Sequence, residues 1–397
     1  MQHPAERLNR IQESQTIGMA KLARALAAEG KDVINLSFGE PDFQTPQHIK
    51  DAAKKAIDDG FTFYTPVPGY PELRKAISEK FKNDNHLNYP FDQIVVSTGA
   101  KHAIMNTVLA LINPGDEVII PTPYWVSYSE MVKLAEGVPV FVHTTVENDF
   151  KPSVEQIKAA ITSRTRLFMF SSPCNPTGSV FSKEELKAMA DLFAQYPDIY
   201  IIADEIYEHI TFEGKHESIA QFPEIFERVI TVNGVSKGFA MTGWRIGYIG
   251  AAKWIAEACE KIQGQFTSGT CSIAQRAALA AITTDLKPTF DMREQFRKRR
   301  DLVLELMKEI PGFKLNKPTG AFYVFPDVSY YFGKSFEGKI ISDAQELCMY
   351  LLNHAHVSLV TGEAFGNGNY IRFSYAASEE NLRKALSRIK EALSELK

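Results

Sequence analysis

From residue 93 onward, short apolar segments alternate with segments of helical pattern, and this alternation constrains the fold more than any other feature of the sequence. The apolar segments are predicted strands at residues 94–96, 118–120, 138–142, 167–170, 199–203 and 229–232. Strands that alternate with helices form βαβ units, in which neighbouring strands pair in parallel and helices cover the sheet. The segment at 199–203 is apolar almost throughout, which is typical of a strand buried on both faces. The sequence therefore predicts an α/β fold with a mostly parallel sheet.

The chain changes character after about residue 290. A long charged helix is predicted over residues 286–310, then strands at 321–325, 357–360 and 370–375, with helices at 343–354 and from Ser378. This mixture indicates a smaller α+β domain. Near the N-terminus, a helix is predicted at 19–29 and a short strand at 33–36. We expect an N-terminal arm with part of the small domain at 1–44, a large domain at 45–290 and a small domain at 291–397.

Composition excludes several classes of function. The 397 residues include 44 Lys and Arg against 48 Asp and Glu, a formal net charge of −4, so no broad basic surface for nucleic acid is expected. No apolar run is long enough to span a bilayer, and the charged N-terminus does not resemble a signal peptide. The four cysteines lie far apart without metal-ligand spacing. We expect reduced thiols, no metal site and a cytoplasmic location.

One segment, residues 233–247, carries the strongest chemical signal. It places Lys237 among small residues, with Arg245 at the start of a predicted strand at 245–249. A lysine in a partly apolar pocket loses hydration, which favours its neutral amine and permits a Schiff base with an aldehyde. An arginine presents a planar set of donors that suits a phosphate. The alternative is that both are solvated surface charges, and the segment alone does not exclude it.

Other candidates lie where predicted strands end. Trp125 follows a strand at the edge where open α/β sheets bind ligands, although it could be an ordinary core aromatic. Asp204 and Glu205 end a buried strand, where a carboxylate needs a charged partner; a salt-bridged or metal-binding pair is the alternative. Arg372 lies within an apolar strand and needs an anion, either a ligand or an internal carboxylate.

Motifs along almost the whole chain resemble those of class I pyridoxal-phosphate (PLP) aminotransferases, and most of all the prokaryotic (class Ib) aspartate aminotransferase subgroup. The matching motifs are Gly-Glu-Pro-Asp-Phe at 39–43, Pro-Tyr-Trp-Val-Ser-Tyr at 123–128, Asn-Pro-Thr-Gly at 175–178, Asp-Glu-Ile-Tyr-Glu-His at 204–209, the segment at 233–247 and Ile-Arg-Phe-Ser-Tyr-Ala at 371–376. The resemblance implies PLP fold type I, with a seven-stranded sheet in the large domain. It also implies a homodimer whose active sites are shared across the interface.

The resemblance assigns five residues to the reacting part of the cofactor. Lys237 is the catalytic residue, which holds PLP and then moves a proton between substrate and cofactor. Asp204 keeps the pyridine nitrogen protonated. Asn175 and Tyr207 hydrogen-bond to the ring hydroxyl, and Trp125 stacks on the ring.

Five further residues are assigned to the cofactor phosphate. Ser236 and Arg245 come from the lysine segment, and Gly99 and Ala100 from the turn after the predicted strand at 94–96. Tyr64 is expected to reach the phosphate of the neighbouring subunit. Relatives have Gly-Gly-Lys-Gln at residues 99–102, where this chain has Gly-Ala-Lys-His. The backbone donors are retained if Ala100 has a negative φ.

The substrate-binding residues implied by the resemblance are Gly39, Trp125, Asn175, Arg372, Lys101 and Thr16. Arg372 takes the α-carboxylate, which Gly39 also contacts. Lys101, helped by hydroxyls such as those of Ser14 and Thr16, takes the distal carboxylate of a dicarboxylic substrate.

The function implied is transfer of the amino group from L-aspartate to 2-oxoglutarate, giving oxaloacetate and L-glutamate in a ping-pong reaction through pyridoxamine phosphate. One alternative on the same scaffold is an aminotransferase for prephenate, aromatic or neutral amino acids, or a PLP lyase. Another is a non-catalytic PLP-binding regulator.

Overall fold

A computed structural model describes residues 5–13 and 15–397. Its strands are β1 (Ile34–Asn35), β2 (Ile94–Ser97), β3 (Glu117–Thr122), β4 (Val138–His143), β5 (Thr165–Ser171), β6 (Tyr200–Asp204), β7 (Val229–Gly234), β8 (Gly247–Gly250), β9 (Tyr323–Val324), β10 (Ser335–Phe336), β11 (Lys339–Ile340), β12 (Val357–Ser358), β13 (Val360–Thr361) and β14 (Ile371–Ser374). Its helices are α1 (Gln15–Ala28), α2 (Gln47–Asp58), α3 (Pro71–Asn85), α4 (Ala100–Leu111), α5 (Ser127–Leu134), α6 (Val154–Ala160), α7 (Lys183–Ala194), α8 (Lys253–Phe266), α9 (Ser272–Thr283), α10 (Lys287–Met307), α11 (Ala344–Tyr350) and α12 (Glu379–Ser394). Within this described part of the chain, no helix is both long and apolar enough to cross a membrane.

The central sheet has seven strands in the order β2-β8-β7-β6-β5-β3-β4. Strands β7, β6, β5, β3 and β4 pair in parallel, whereas β8 is antiparallel to both of its neighbours. The predicted mostly parallel α/β sheet is therefore confirmed. Because successive side chains of a strand point to opposite faces, Ile201 packs into one apolar layer and Ile202 into the other.

A further hydrophobic cluster joins the two ends of the chain. Met19 of α1 packs with Leu347 of α11 and Leu386 of α12, and β1 pairs in parallel with β12. Beside this cluster, β13, β14 and β9 form a small antiparallel sheet. The same cluster includes Ile206 and Tyr207, which follow β6. The ends of the chain are thereby packed against the edge of the central sheet where β6 terminates, while the domain boundaries at 45 and 290 stay predictions.

Several predicted elements have other bounds in the structure; for example, the helix expected at 19–29 is α1, Gln15–Ala28. Three further differences have a structural cause. The strand expected at 357–360 is two strands, because β12 pairs with β1 and β13 pairs with β14. The helix expected at 343–354 ends at Tyr350 and continues as a π-helical turn over Leu351–Ala355. The strand expected from Arg245 begins at Gly247, because Arg245 has a left-handed backbone (φ 58°) after a 3-10 turn at Thr242–Trp244.

Candidate functional site

A cavity of about 480 Å³ lies beyond the carboxyl ends of the central strands. Its volume is within the range typical of small-molecule sites, and its position is where open α/β sheets bind ligands. Most of the predicted site residues line it: Thr16, Gly39, Ala100, Lys101, Trp125, Asn175, Asp204, Tyr207, Ser236, Lys237, Arg245 and Arg372. These residues come from segments spread over more than 350 positions of sequence, and the fold brings them to one wall.

Lys237 follows β7 and projects into this cavity. Its Nζ donates a hydrogen bond of 2.5 Å to the carbonyl of Gly39 and lies 5.9 Å from the centre of the Tyr207 ring. The pKa of this amine is lowered to about 8, chiefly by burial; Arg372 and Arg245 contribute to the lowering, and Glu40 and Asp204 oppose it. A substantial fraction of Lys237 is therefore neutral near pH 8, as a nucleophile or general base requires.

Asp204 is the last residue of β6, and its side chain faces the cavity from a buried position (4 % exposed). Its carboxylate accepts hydrogen bonds from the Tyr128 hydroxyl at 2.7 Å and from the Ile206 N–H at 3.3 Å. Burial raises the pKa of Asp204 to about 6, against the lowering effect of the Tyr128 hydroxyl. Among the described residues no cation is in contact with this carboxylate, so a protonated ring nitrogen would be a favourable partner.

The neighbouring carboxylate, Glu205, has a separate environment. It accepts from His216 Nε2 at 2.9 Å and from Ser218 Oγ at 2.5 Å. The interpretation as a salt-bridged pair therefore describes Glu205, and the two adjacent carboxylates have different partners. Glu205, Glu208 and His216 place ligand atoms within 4.8 Å of one another, but Glu208 is already in contact with the Lys80 ammonium.

The start of α4 and Arg245 form a cationic corner of the site. Gly99 precedes α4 with φ 83°, and a Cβ atom there would collide with the Arg245 guanidinium. Ala100 is the first residue of α4 and has a negative φ, as its backbone donor requires. The guanidinium donates to the Thr98 and Thr242 carbonyls at 3.5 and 2.9 Å. Free N–H groups at a helix start and a guanidinium together suit a phosphate.

Arg372 is almost completely buried (2 % exposed) in β14. One terminal nitrogen donates to Asn175 Oδ1 at 2.9 Å and the other to the Ser37 carbonyl at 2.6 Å. The Nε of Arg372 is buried and has no hydrogen-bond partner among residues 5–13 and 15–397. In the described residues no carboxylate pairs with it, so the alternative of an internal salt bridge is not observed. A buried guanidinium that contacts only uncharged groups, here two oxygens and the rings of Tyr323 and Phe365, is suited to an anionic ligand.

Lys101 and Trp125 meet at another part of the wall. Lys101 Nζ lies 5.0 Å from the centre of the Trp125 ring. The pKa of Lys101 is lowered, mainly by burial and also by repulsion from Arg245. Thr16, on α1, lines the same cavity. Ser14 lies outside the described residues.

Two of the predicted site residues do not line the cavity. Gly99 adjoins it through Ala100 and Arg245. Tyr64 is 98 % exposed in the loop between α2 and α3, beside Phe63, which is 83 % exposed. The expected contact of Tyr64 with a neighbouring subunit stays a prediction.

Sequence reasoning missed three contacts of the site. Tyr128 donates to Asp204, the Tyr323 hydroxyl lies 2.7 Å from that of Tyr207, and the Ser37 carbonyl holds Arg372. For Tyr128 a signal existed, since it lies three residues after Trp125 and therefore on the same side of a helical turn. The other two depend on contacts between distant segments and have no local signal.

The lining fits the functional groups of pyridoxal phosphate. The aldehyde would meet Lys237, the ring nitrogen Asp204, and the phosphate the corner formed by Arg245 and the start of α4. Asn175 uses its Oδ1 for Arg372, which leaves its NH₂ group to donate to a ring oxygen.

Comparison with known proteins agrees with this geometry. Residues 31–389 match the sequence profile of the family described as aminotransferase class I and II. The aspartate/prephenate aminotransferase of Cereibacter sphaeroides is 47 % identical over 388 residues, which cover 97 % of this chain and 97 % of that protein.

Solved structures are similar over the full length. The aspartate aminotransferase of Rhizobium meliloti superposes with a TM-score of 0.97 at 42 % identity, covering 100 % of both chains. The aspartate aminotransferase of Thermus thermophilus with maleate gives a TM-score of 0.92 at 42 % identity, covering 99 % of this chain and 100 % of that one. The chain therefore belongs to the aminotransferase class I and II family, whose cofactor is pyridoxal 5'-phosphate.

Proposed function

We propose that this protein transfers the amino group of L-aspartate to 2-oxoglutarate, yielding oxaloacetate and L-glutamate. The observation that carries the proposal is the arrangement around Lys237. An amine with a pKa of about 8 shares one cavity with the buried Arg372, which has no carboxylate partner in the part of the chain that the structure describes, and with a second cation, Lys101. This set suits a substrate that carries two carboxylates and one amino group.

Four residues would hold the pyridine ring of the cofactor. Asp204 would pair with the ring nitrogen, Asn175 and Tyr207 with the ring hydroxyl, and Trp125 would lie against the ring. Bound in this way, pyridoxal phosphate supplies an electron sink that stabilises negative charge at the substrate Cα. The buried Asp204 carboxylate would favour the protonated ring nitrogen on which that electron sink depends.

The phosphate would be held by Arg245, Ser236 and the N–H groups around Gly99 and Ala100. A helix N-terminus and a guanidinium attract an anion by charge and by directed hydrogen bonds. We further propose that Tyr64 of a second copy completes this phosphate site, which makes the working enzyme a homodimer.

Lys237 would transfer the proton, and Arg372 would orient the substrate for that transfer. Arg372 would bind the α-carboxylate with both terminal nitrogens, exchanging its present contacts, and Gly39 would lie beside it. This fixes the direction of the substrate Cα–H bond. The Lys237 amine would take that proton from the substrate Cα and return it to the cofactor carbon, which its pKa of about 8 permits near neutral pH.

Lys101 and Thr16 would read the distal carboxylate. The maleate in the Thermus thermophilus structure is a dicarboxylate, which supports two anion-binding groups in the related site. Because the Cereibacter sphaeroides relative is named for prephenate as well as aspartate, prephenate is the second candidate amino acceptor. Cytoplasmic location stays a prediction.

Single amino acids added to the purified, cofactor-loaded protein test the proposal. L-aspartate and L-glutamate should convert the absorbance of the aldehyde form of the cofactor to that of the amine form, and L-alanine, L-leucine and L-phenylalanine should do so much more slowly. Borohydride reduction before substrate is added should attach the cofactor to Lys237, as located by peptide mass spectrometry. Reaction with neutral amino acids alone would contradict the substrate assignment, and no conversion with any amino acid would indicate a regulator.

Lys101→Gln tests the distal contact. Loss of a charge-assisted hydrogen bond predicts a decrease of about 10- to 100-fold in kcat/KM for aspartate. Lys101→Arg should recover part of this loss, because it keeps the charge. Activity on L-alanine should be unchanged in both variants, and an equal loss for alanine would show that Lys101 has a structural rather than a substrate-reading role.

A further inference from the structure

One face of α1 forms part of the cavity wall. Thr16, Ile17, Ala20 and Arg24 of this helix line the cavity, with the spacing expected of residues on one side of a helix. Thr16 already has a proposed part in reading the distal carboxylate. Arg24, two turns further along, has none.

Arg24 lines the cavity and is exposed. Among residues 5–13 and 15–397, no hydrogen bond, ion pair or ring contact engages it. The wall contains five basic residues, Arg24, Lys101, Lys237, Arg245 and Arg372, whereas its carboxylates are limited to Asp204 among the described residues.

The other four cations are accounted for by the proposed reaction. Arg245 would take the phosphate, Lys237 the aldehyde, Arg372 the α-carboxylate and Lys101 the distal carboxylate of aspartate. Arg24 is therefore a cation to which the proposed reaction assigns no group, in a cavity whose proposed ligands are anions.

Distance along α1 separates Arg24 from the aspartate position. Thr16 and Arg24 are eight positions apart in the sequence, which corresponds to about 12 Å along a helix axis. A short dicarboxylate bound by Arg372, Lys101 and Thr16 would not need Arg24. A longer or bulkier one could extend into the rest of the cavity of about 480 Å³.

We propose that Arg24 is a specificity-determining residue that binds the second carboxylate of substrates in which this group lies farther from the amino-bearing carbon than in aspartate. This inference rests on the proposed function and names a wider substrate class for the same site. Planar guanidinium donors suit a carboxylate, and a guanidinium on a long side chain adapts to ligands of different length.

Binding of unreactive dicarboxylates separates this contact from catalysis. The dissociation constants of succinate, glutarate, adipate and pimelate are measured by titration calorimetry on the cofactor-loaded wild type and on Arg24→Gln, Arg24→Lys and Lys21→Gln. Lys21 is the matched control, since it is an exposed cation of α1 that does not line the cavity.

We expect Arg24→Gln to weaken adipate and pimelate by about five- to tenfold and succinate by less than about twofold, as for an exposed charge-assisted contact. Arg24→Lys should restore most of the affinity, and Lys21→Gln should match the wild type. Arg24→Gln should also lower kcat/KM for L-2-aminoadipate more than for L-aspartate.

Two results would overturn the inference. One is equal affinity of Arg24→Gln and wild type for every ligand. The other is equal weakening for all lengths that disappears at high salt, which is the behaviour of long-range steering by a surface charge. Failure of the proposed function is seen separately, because the wild type would then not convert its cofactor with aspartate at all.

Discussion

At the scale of single residues, burial sets the chemistry of the site. Lys237 and Asp204 are both desolvated, which lowers the pKa of the amine to about 8 and raises that of the carboxyl to about 6. Each charge is therefore held at a cost in stability that the bound cofactor would offset.

Asp204→Asn should make the cofactor-free protein more stable at pH 8. The folded pKa of about 6 exceeds the ordinary value of 3.8, so the folded state binds more protons between about pH 4 and pH 6, and stability from this group falls as pH rises through that window. At pH 8 the ionised carboxylate is unfavourable by about 1–3 kcal/mol, which Asn avoids while still accepting from Tyr128. Urea unfolding at pH 8 and pH 4.5 measures the difference, which should shrink at the lower pH.

Glu205→Gln is the matched comparison for that experiment. This carboxylate has the His216 and Ser218 contacts, so its replacement should destabilise the protein at pH 8 rather than stabilise it. Loss of stability in Asp204→Asn at pH 8 would contradict the argument. Cofactor-dependent turnover should be lost in the Asp204 variant whatever its stability.

At the scale of elements, the start of α4 positions the cationic corner. Gly99 and Gly115 both have positive φ, 83° and 87°, but only Gly99 faces another group: a Cβ there meets Arg245, whereas at Gly115 nothing lies within 4 Å. Gly115 is therefore a control for a side chain added at positive φ with no neighbouring group to displace.

Gly99→Ala should weaken cofactor binding by at least about tenfold, because Arg245 must move away from the proposed phosphate position. Gly115→Ala should leave the cofactor dissociation constant unchanged. Both variants should also lose stability, Gly115→Ala by about 1 kcal/mol and Gly99→Ala by more, because Gly99 (φ 83°, ψ 158°) has a backbone conformation that is essentially restricted to glycine. Fluorescence titration with pyridoxal phosphate and thermal unfolding measure the two effects, and equal cofactor affinity in the two variants would show that Gly99 serves only the turn.

At the scale of the whole molecule, the exposed loop carrying Phe63 and Tyr64 is the strongest indication of an incomplete surface. Two large aromatic side chains that are 83 and 98 % exposed next to each other are unusual on a monomer. Association with a second copy would cover them.

Mixing two inactive variants tests shared active sites. Tyr64→Ala and Lys237→Ala chains, dissociated and reassembled together, should recover activity in about a quarter of all sites, because each mixed dimer has one site with both residues intact. Each variant reassembled alone is the control. If the mixture stays at the sum of the two controls while sedimentation shows dimers, Tyr64 does not act across the interface.

Much of this architecture follows from the sequence read locally. The strand and helix alternation, the buried β6 and the segment around Lys237 were all predictable, because periodicity and turn residues act over a few neighbouring positions. The resemblance in motifs then indicated the cofactor and most of the wall.

Only the tertiary structure decided how the charges are partnered. Arg372 meets Asn175 and Ser37, which lie 197 and 335 positions away, and Asp204 meets Tyr128 at a separation of 76. The left-handed turn at Arg245 and the direction in which Arg24 faces were likewise not predicted. Hydrophobic pattern determines which segments become strands and helices, whereas the pKa and the availability of a buried charge depend on which distant segments packing brings beside it and on how much water that packing removes.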